Sequence, residues 1–349
     1  MHKNLKDKEF SSEKSPLFVA EISGNHLGNF DRCIELIDLA AESGASAVKF
    51  QTFLPERMTL DIDDDNFRVV RDHPLWGGEK LIDLYRKTQT PLSWHEELFS
   101  HARAVGMIPF STPFDIESVE FLEQLNCPIY KIASLESSDL TLIKKAASTL
   151  KPMVISTGAT HFNEITDAVE ACLSVGNSDI TLLLCTSSYP ANPADANLAR
   201  FKLLTENYQV KIGLSDHTLG IGVSVAAIAL GAVLIEKHFT KSREDGGPDA
   251  QFSLEPGEFA SLVQEGRNAW ESLGKSEWLM AESELESRRL RRSLYISENV
   301  LKGEIVSNSN VRAVRPGYGI SPKFLPEVLG KTFNSNYSAG SPLKLENLD

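Results

Sequence analysis

The stretch KIGLSDHTLGIGVSVAAIALGAVLIEKHFT, residues 211–240, decides the fold. It opens on the short run KIGLSD and closes on VLIEKHF, and each run passes from apolar residues to a histidine, His217 and His238. Runs of this kind recur along the chain. FVAEIS (18–23), AVKFQTF (47–53), MIPFSTPF (107–114), IYKIAS (129–134), MVISTG (153–158) and ITLLLCTSS (180–188) bring the number to eight. Between the runs lie stretches with apolar residues at i, i+3, i+4 and i+7, among them NFDRCIELIDLAAESG, IESVEFLEQLN, DLTLIKKAASTL and FNEITDAVEACLSVG. Several open on capping residues and close on Gly or Asn, as helices do. Eight strand-and-helix units in about 260 residues match the size of a closed (β/α)8 TIM barrel. An open doubly wound sheet fits less well, because no GxGxxG turn follows the first run. The gap at 54–92 is too long for a plain loop, and an insertion after a barrel strand falls on the catalytic face.

Past Gly274 the pattern changes. A charged stretch, EWLMAESELESRRLRR, predicts a linker helix over 276–290, and residues 291–349 read as a small β-rich domain with short alternating runs and Gly and Pro turns. At about 60 residues that domain is near the lower limit for folding on its own core, so it should pack on something larger. The organisation expected is a leader over 1–16, a catalytic barrel over 17–275, the linker helix and the small domain.

The leader MHKNLKDKEFSSEKSP is too polar for a signal peptide. No apolar run reaches the roughly 18 residues needed to cross a bilayer. A net charge of -13 argues against nucleic acid and anionic membranes as partners, since a local basic patch would have to overcome the long-range repulsion. Any anionic substrate must be held by a few placed lysines. The four cysteines stand singly in apolar segments, without CxxC spacing, which points to reduced, buried thiols in a cytoplasmic protein.

In a (β/α)8 barrel the carboxyl ends of all strands open into one mouth. Here all eight runs end polar: Glu21; Lys49 and Gln51; Thr112; Lys131, Ser134 and Glu136; Ser156; Ser187 and Tyr189; Ser215, Asp216 and His217; Glu236, Lys237 and His238. A single polar strand end carries no information. Eight together do, above all with Lys49 and Lys131 inside apolar strands, where an unpaired charge costs several kcal/mol. Those lysines, with the hydroxyls of Thr112, Ser134, Ser156 and Ser215, suit a phosphate and a carboxylate; the alternative is that they pair with Glu21 or Glu236 and merely fill the barrel. His217 and His238 are either hydrogen-bonded packing residues or two ligands on neighbouring strands about 4.8 Å apart. Two imidazoles without a cysteine ligand fit an open Mn or Mg type of divalent site better than a closed structural zinc. Asp249, after the eighth run, either orients a polyhydroxy substrate or caps a helix starting near Glu255.

The motifs AEISGNHLGN, AVKFQT, STPFD, YKIASLE, ISTGA, LCTSSYP, GLSDHTLG and IEKHFT, followed by RPGYGI, resemble in order the sialic acid synthase family, which pairs a (β/α)8 barrel with a C-terminal antifreeze-like (SAF) domain. The segments LWGGEKLIDLYRKTQTPLSWHEELF and RRSLYI look like its pseudaminic acid synthase branch. The resemblance implies condensation of phosphoenolpyruvate with an open-chain diacetamido-trideoxy hexose and water, giving a nine-carbon 2-oxo acid and phosphate. It places a divalent metal ion on His217 and His238, phosphoenolpyruvate on Lys49, Thr112, Lys131, Ser134, Ser156 and Ser215, and proton transfer on Glu136. Glu21, Gln51, Phe114, Tyr189 and Asp249 would line the acceptor pocket. Arg315 in RPGYGI would reach over the barrel of a partner subunit, which implies a homodimer. Leu27 and Gly24 stand where the family usually has Asn and Ala, and GATHF lacks a methionine that commonly follows the glycine; these departures bear on the acceptor sugar. Related alternatives are an N-acetylneuraminate or legionaminate synthase. From other classes come a Schiff-base aldolase on Lys131 or Lys49 and a non-catalytic sugar-binding protein.

Overall fold

The computed structural model describes residues 15–71 and 76–349, so most of the expected leader lies outside the described residues. Eight parallel strands close into a barrel in chain order: β1 (Leu17–Glu21), β2 (Ala47–Thr52), β3 (Ile108–Pro113), β4 (Tyr130–Ile132), β5 (Met153–Ser156), β6 (Ile180–Cys185), β7 (Lys211–Asp216) and β8 (Leu234–His238). Closure is made by β1 on β8, in a register that sets Glu21 opposite His238. Every predicted strand is present: β7 spans its whole run, and the other seven are one to three residues shorter than theirs.

The helices that follow the strands are α1 (Phe30–Glu42), α4 (His95–Ala104), α5 (Ile116–Gln124), α6 (Leu140–Ala147), α7 (Phe162–Ser174), α8 (Arg200–Asn207), α9 (Gly222–Ala229) and α10 (Pro256–Ser272); the long insertion after β2 adds α2 (Pro55–Met58) and α3 (Leu81–Thr88). Caps explain several starts. Asn29, Asp115 and Asp139 accept backbone N–H bonds from the first turns of α1, α5 and α6. Asp249 does not cap α10: Glu255 does, in a capping box with Glu258 and with Pro256 at the first position. Of the two readings of Asp249, the cap is thereby excluded.

Apolar residues of the strands and the inner helix faces form one core, from Phe18 and Phe50 to Leu262. Two imidazoles are sealed near it. His95 lies wholly buried on α4, its Nδ1 bonded to the Pro91 carbonyl at 3.1 Å and its Nε2 to Thr52 Oγ1 at 2.8 Å. Burial pulls His95 down to about 4, and His26 likewise to about 4. A depressed histidine stabilises the fold above its unfolded value near 6.5, and that stability drains as the pH falls toward 4. For His95 the difference is worth about 3 kcal/mol. Urea unfolding followed between pH 7.5 and 4.5 should therefore show a steep acid loss that His95→Gln makes shallower; an equal slope in the variant would refute this account.

The chain divides into two units at Gly274 and Lys275. In the second, β9 (Ser293–Ile296) and β10 (Val311–Val314) pair antiparallel. Its core holds Leu294, Ile296, Val300, Val306, Val311, Val328, Phe333 and Leu343, with α12 (Leu325–Val328) contributing. The linker helix expected over 276–290 is not formed as such. Only a 3-10 turn at Glu282–Glu284 and α11 (Leu285–Arg289) are helical. Every residue from 275 to 290 is exposed, so no apolar face rewards helix formation there. Among the described residues no helix is long and apolar enough to cross a membrane.

Candidate active site

Strand alternation sorts the polar residues at the barrel mouth into two sets. Glu21, Lys49, Lys131, Ser215 and Glu236 point into the barrel and meet one another; Asp216 and Lys237, one residue out of phase with Ser215 and Glu236, meet on the helix side. His217 and His238 share the phase of Ser215 and Glu236, and their rings come together with centroids 5.3 Å apart. Counting in twos from either histidine would have found this pairing in the sequence.

The inward set is organised by Glu236, a residue the sequence offered only as a filler partner. Lys49 Nζ lies 2.7 Å from Glu21 Oε2 and 3.7 Å from Glu236 Oε1, and Lys131 Nζ lies 3.6 Å from the same Glu236 oxygen. Ser215 Oγ donates to that oxygen at 3.1 Å, and Lys49 donates to Thr112 Oγ1 at 3.1 Å. Both lysines thus have the carboxylate partners that the filler reading required. Yet Glu236 Oε2 and Ser156 Oγ are buried without a hydrogen-bond partner, which pure filling leaves unexplained. Burial drives Lys131 downward despite Glu236, whereas for Lys49 the paired Glu21 and Glu236 outweigh burial and hold it up. Burial also raises Glu21, in spite of Lys49.

On the other side of the mouth the imidazoles sit among aromatic rings. His217 lies 4.5 Å from the Tyr189 ring, and His238 lies 4.8 Å from Phe252. His217 Nδ1 bonds the Thr186 carbonyl at 3.0 Å, which assigns a proton to Nδ1 and leaves Nε2 as the nitrogen that could ligate; against its burial, the Cys185 thiol 3.8 Å from Nδ1 holds the ring above its ordinary value. His238 Nδ1 is buried with no hydrogen bond, and Asp249 Oδ2 stands 3.9 Å from it. Burial, followed by His217 and the nearby lysines, holds His238 well below its ordinary value, so it is a neutral imidazole. An unpartnered neutral nitrogen, a second imidazole with its tautomer set by a carbonyl, and a nearby carboxylate fit a divalent ion, although no group of three or more His, Cys, Asp or Glu is placed for one among the described residues.

A hydroxyl pocket joins the two sides. Ser134 Oγ accepts from Gly158 N at 3.1 Å, and a methyl group on Gly158 would fall 2.3 Å from Ser187 Oγ, 2.8 Å from Ser134 Oγ and 3.2 Å from Cys185 Sγ. Glu136 is half-buried on the turn after β4, and desolvation pushes it up to about 7, against the pull of Lys131. Gln51 Nε2 donates to Glu21 Oε1 and Ser23 Oγ, both at 3.0 Å. Phe114 packs edge-on against Phe53 and is not drawn into the polar cluster. Arg315 belongs to the second unit, exposed after β10. Beside the mouth a cavity of about 620 Å³ is lined by Leu27, Trp76, Leu84, Arg86, Pro248 and Gln251. Trp76 connects it to the site, its ring 6.2 Å from Tyr189.

The NeuB family profile matches residues 36–278, and an SAF domain matches 291–349. The chain is 42% identical over 335 residues to the pseudaminic acid synthase of Helicobacter pylori, covering 96% of this chain and 98% of that one. It is 36% identical to the N,N'-diacetyllegionaminic acid synthase of Campylobacter jejuni, covering 93% of this chain and 97% of the relative. Among solved structures it resembles a spore coat polysaccharide biosynthesis protein E from Chromobacterium violaceum, with a TM-score of 0.72 at 26% identity over 96% of this chain and 99% of that chain. An N-acetylneuraminic acid synthetase from Leptospira borgpetersenii, solved with citrate, has a TM-score of 0.70 at 31% identity over 78% of this chain and 90% of that one.

Proposed function

Because this chain belongs to the NeuB family, we propose that it is a pseudaminic acid synthase, joining phosphoenolpyruvate to open-chain 2,4-diacetamido-2,4,6-trideoxy-L-altrose and water to give pseudaminic acid and phosphate. The observation that carries the chemistry is the meeting of two buried lysines on Glu236, itself bonded by Ser215, with an imidazole pair that continues the same strands in the same phase. The identity with the Helicobacter enzyme supports the choice of acceptor.

In this reading Lys49, Lys131, Thr112, Ser134, Ser156 and Ser215 hold the phosphate and carboxylate of phosphoenolpyruvate, and Ser187 supports the hydroxyl pocket. The anion gives the lysines a second set of partners and supplies an acceptor to the unpartnered hydroxyl of Ser156. His217 and His238, with Asp249 alongside, would hold a divalent ion of Mn or Mg type, which when bound polarises the aldehyde oxygen as a Lewis acid. Glu21, Gln51, Phe114, Tyr189 and Asp249 orient the acceptor so that its aldehyde carbon faces the methylene carbon of phosphoenolpyruvate. The C=C pair of phosphoenolpyruvate forms a C–C bond to the aldehyde carbon while the C=O pair moves onto the aldehyde oxygen, which takes up a proton as a hydroxyl. Water adds to the phosphate-bearing carbon and gives one proton to Glu136; the C–O bond to phosphate then breaks as the added hydroxyl loses its remaining proton to become the ketone, so that water's two protons end on the new hydroxyl and on phosphate. Arg315 is assigned to the barrel mouth of a second subunit in a homodimer, which light scattering and the acceptor KM of Arg315→Ala would test together.

The test is phosphate release from phosphoenolpyruvate, offered with pure candidate hexoses, and mass analysis of the product. Release that needs both a divalent ion and the altro sugar is the expected result. Release with the legionaminic or mannosamine acceptors alone would move the chain to another branch. Borohydride should trap no substrate on Lys131; a covalent adduct would favour the aldolase reading. Gly158→Ala should raise the KM for phosphoenolpyruvate about tenfold, or about 1.4 kcal/mol, because its methyl group displaces the hydroxyls of Ser134 and Ser187. An unchanged KM would remove that pocket from the site.

A further inference from the structure

Just outside the barrel wall, Asp216 and Lys237 form an ion pair with side chains 2% and 0% exposed and with Lys237 Nζ 3.1 Å from Asp216 Oδ2. The two residues are register partners across β7 and β8, and each immediately precedes one of the paired histidines. The pair is fully committed. Asp216 Oδ1 accepts from Thr218 N at 2.9 Å and Thr218 Oγ1 at 2.7 Å, and Oδ2 accepts from Ser224 Oγ on α9 at 2.6 Å. Lys237 also donates to the Thr218 carbonyl. His217 is thus bracketed: the residue before it and the residue after it are tied to each other, to the neighbouring strand and to the helix behind.

A buried ion pair is a poor way to gain stability, since desolvation offsets most of the attraction and apolar residues of similar size serve as well or better. What it supplies is fixed geometry. Resting on the metal-dependent reading above, we infer that Asp216 and Lys237 are positioning residues, a clamp on the helix side of the wall that sets the separation and aim of the His217 and His238 imidazoles on the other side. Neither touches substrate. Each acts through the backbone of the histidine next to it, because alternation sends successive side chains to opposite faces.

The test is the double variant Asp216→Asn with Lys237→Met, which removes both charges together and leaves an amide to accept the Thr218 bonds; Lys237→Met alone strands a buried carboxylate and is the variant most prone to misfold. Binding of Mn(II) to the metal-free protein and the imidazole nitrogen spectra of the metal-free protein are both read, along with the melting temperature. The clamp predicts a melting temperature within a few degrees of the parent, Mn(II) affinity weaker by roughly 10–100-fold, and loss of the protected His217 Nδ1 proton. Mn(II) affinity within threefold of the parent, or unaltered imidazole spectra, would overturn it. A parent that binds no Mn(II), but whose imidazole spectra change in the variant, would uphold the clamp and instead sink the metal reading.

Discussion

Changing His217 or His238 to alanine should lower turnover about a thousandfold or more, equivalent to about 4 kcal/mol, while the barrel still melts cooperatively near the parent temperature. The fold should survive because neither ring is a core keystone: each stands at a strand end, and the strand backbones are tied by their own bonds. The Ala191 amide donates to the His217 carbonyl at 3.0 Å, and the Leu254 amide donates to that of His238 at 2.8 Å. The chemistry should not survive, because losing either imidazole would leave the proposed ion one histidine and the Asp249 carboxylate, which lies 3.9 Å from His238 Nδ1. The two variants should also differ. His217 supports the Tyr189 ring at 4.5 Å, so His217→Ala is expected to raise the acceptor KM as well, whereas His238→Ala acts mainly on turnover. Steady-state kinetics with Mn(II) titration of each metal-free variant decides it. A near-normal rate in either would remove the imidazole pair from catalysis.

The same two residues mark what a reader of the sequence can and cannot extract. The strands were legible because short apolar runs buried away from water can satisfy their backbone N–H and C=O groups by pairing with one another, and that condition is written in apolar composition. The phase of His217 with Ser215, and of His238 with Glu236, was legible too, since period two belongs to any strand. The role of Glu236 was not. Its importance lies in standing 3.6 to 3.7 Å from lysines contributed by two other strands, and such distances are set by barrel closure rather than by any local pattern. The clamp of Asp216 and Lys237 is hidden for the same reason, being a register pair. At the other extreme, EWLMAESELESRRLRR has helical composition but no face to bury, so propensity overstated the helix and only Leu285–Arg289 formed as α11.

Glu136→Gln should reduce kcat by about 10²- to 10⁴-fold, the range for removing a positioned general base, with little change in the KM for phosphoenolpyruvate. The parent enzyme's pH profile should point to the same group. Desolvation raises Glu136 to about 7, with Lys131 pulling the other way. Below that value the carboxyl is protonated and has no lone pair ready for the water's proton, so kcat/KM should fall as the pH drops through about 7, with a slope of one proton. Above it the carboxylate is formed and the profile should level. The direction follows from the role: a general acid at the same position would give the opposite limb. In Glu136→Gln the acidic limb should vanish along with most of the rate, because an amide has no titration to report. Removing Lys131 takes away a charge that favours the carboxylate, so in Lys131→Met the residual activity should show its limb shifted to higher pH. A limb that stays in place in both variants would mean that another group, and not Glu136, handles the proton.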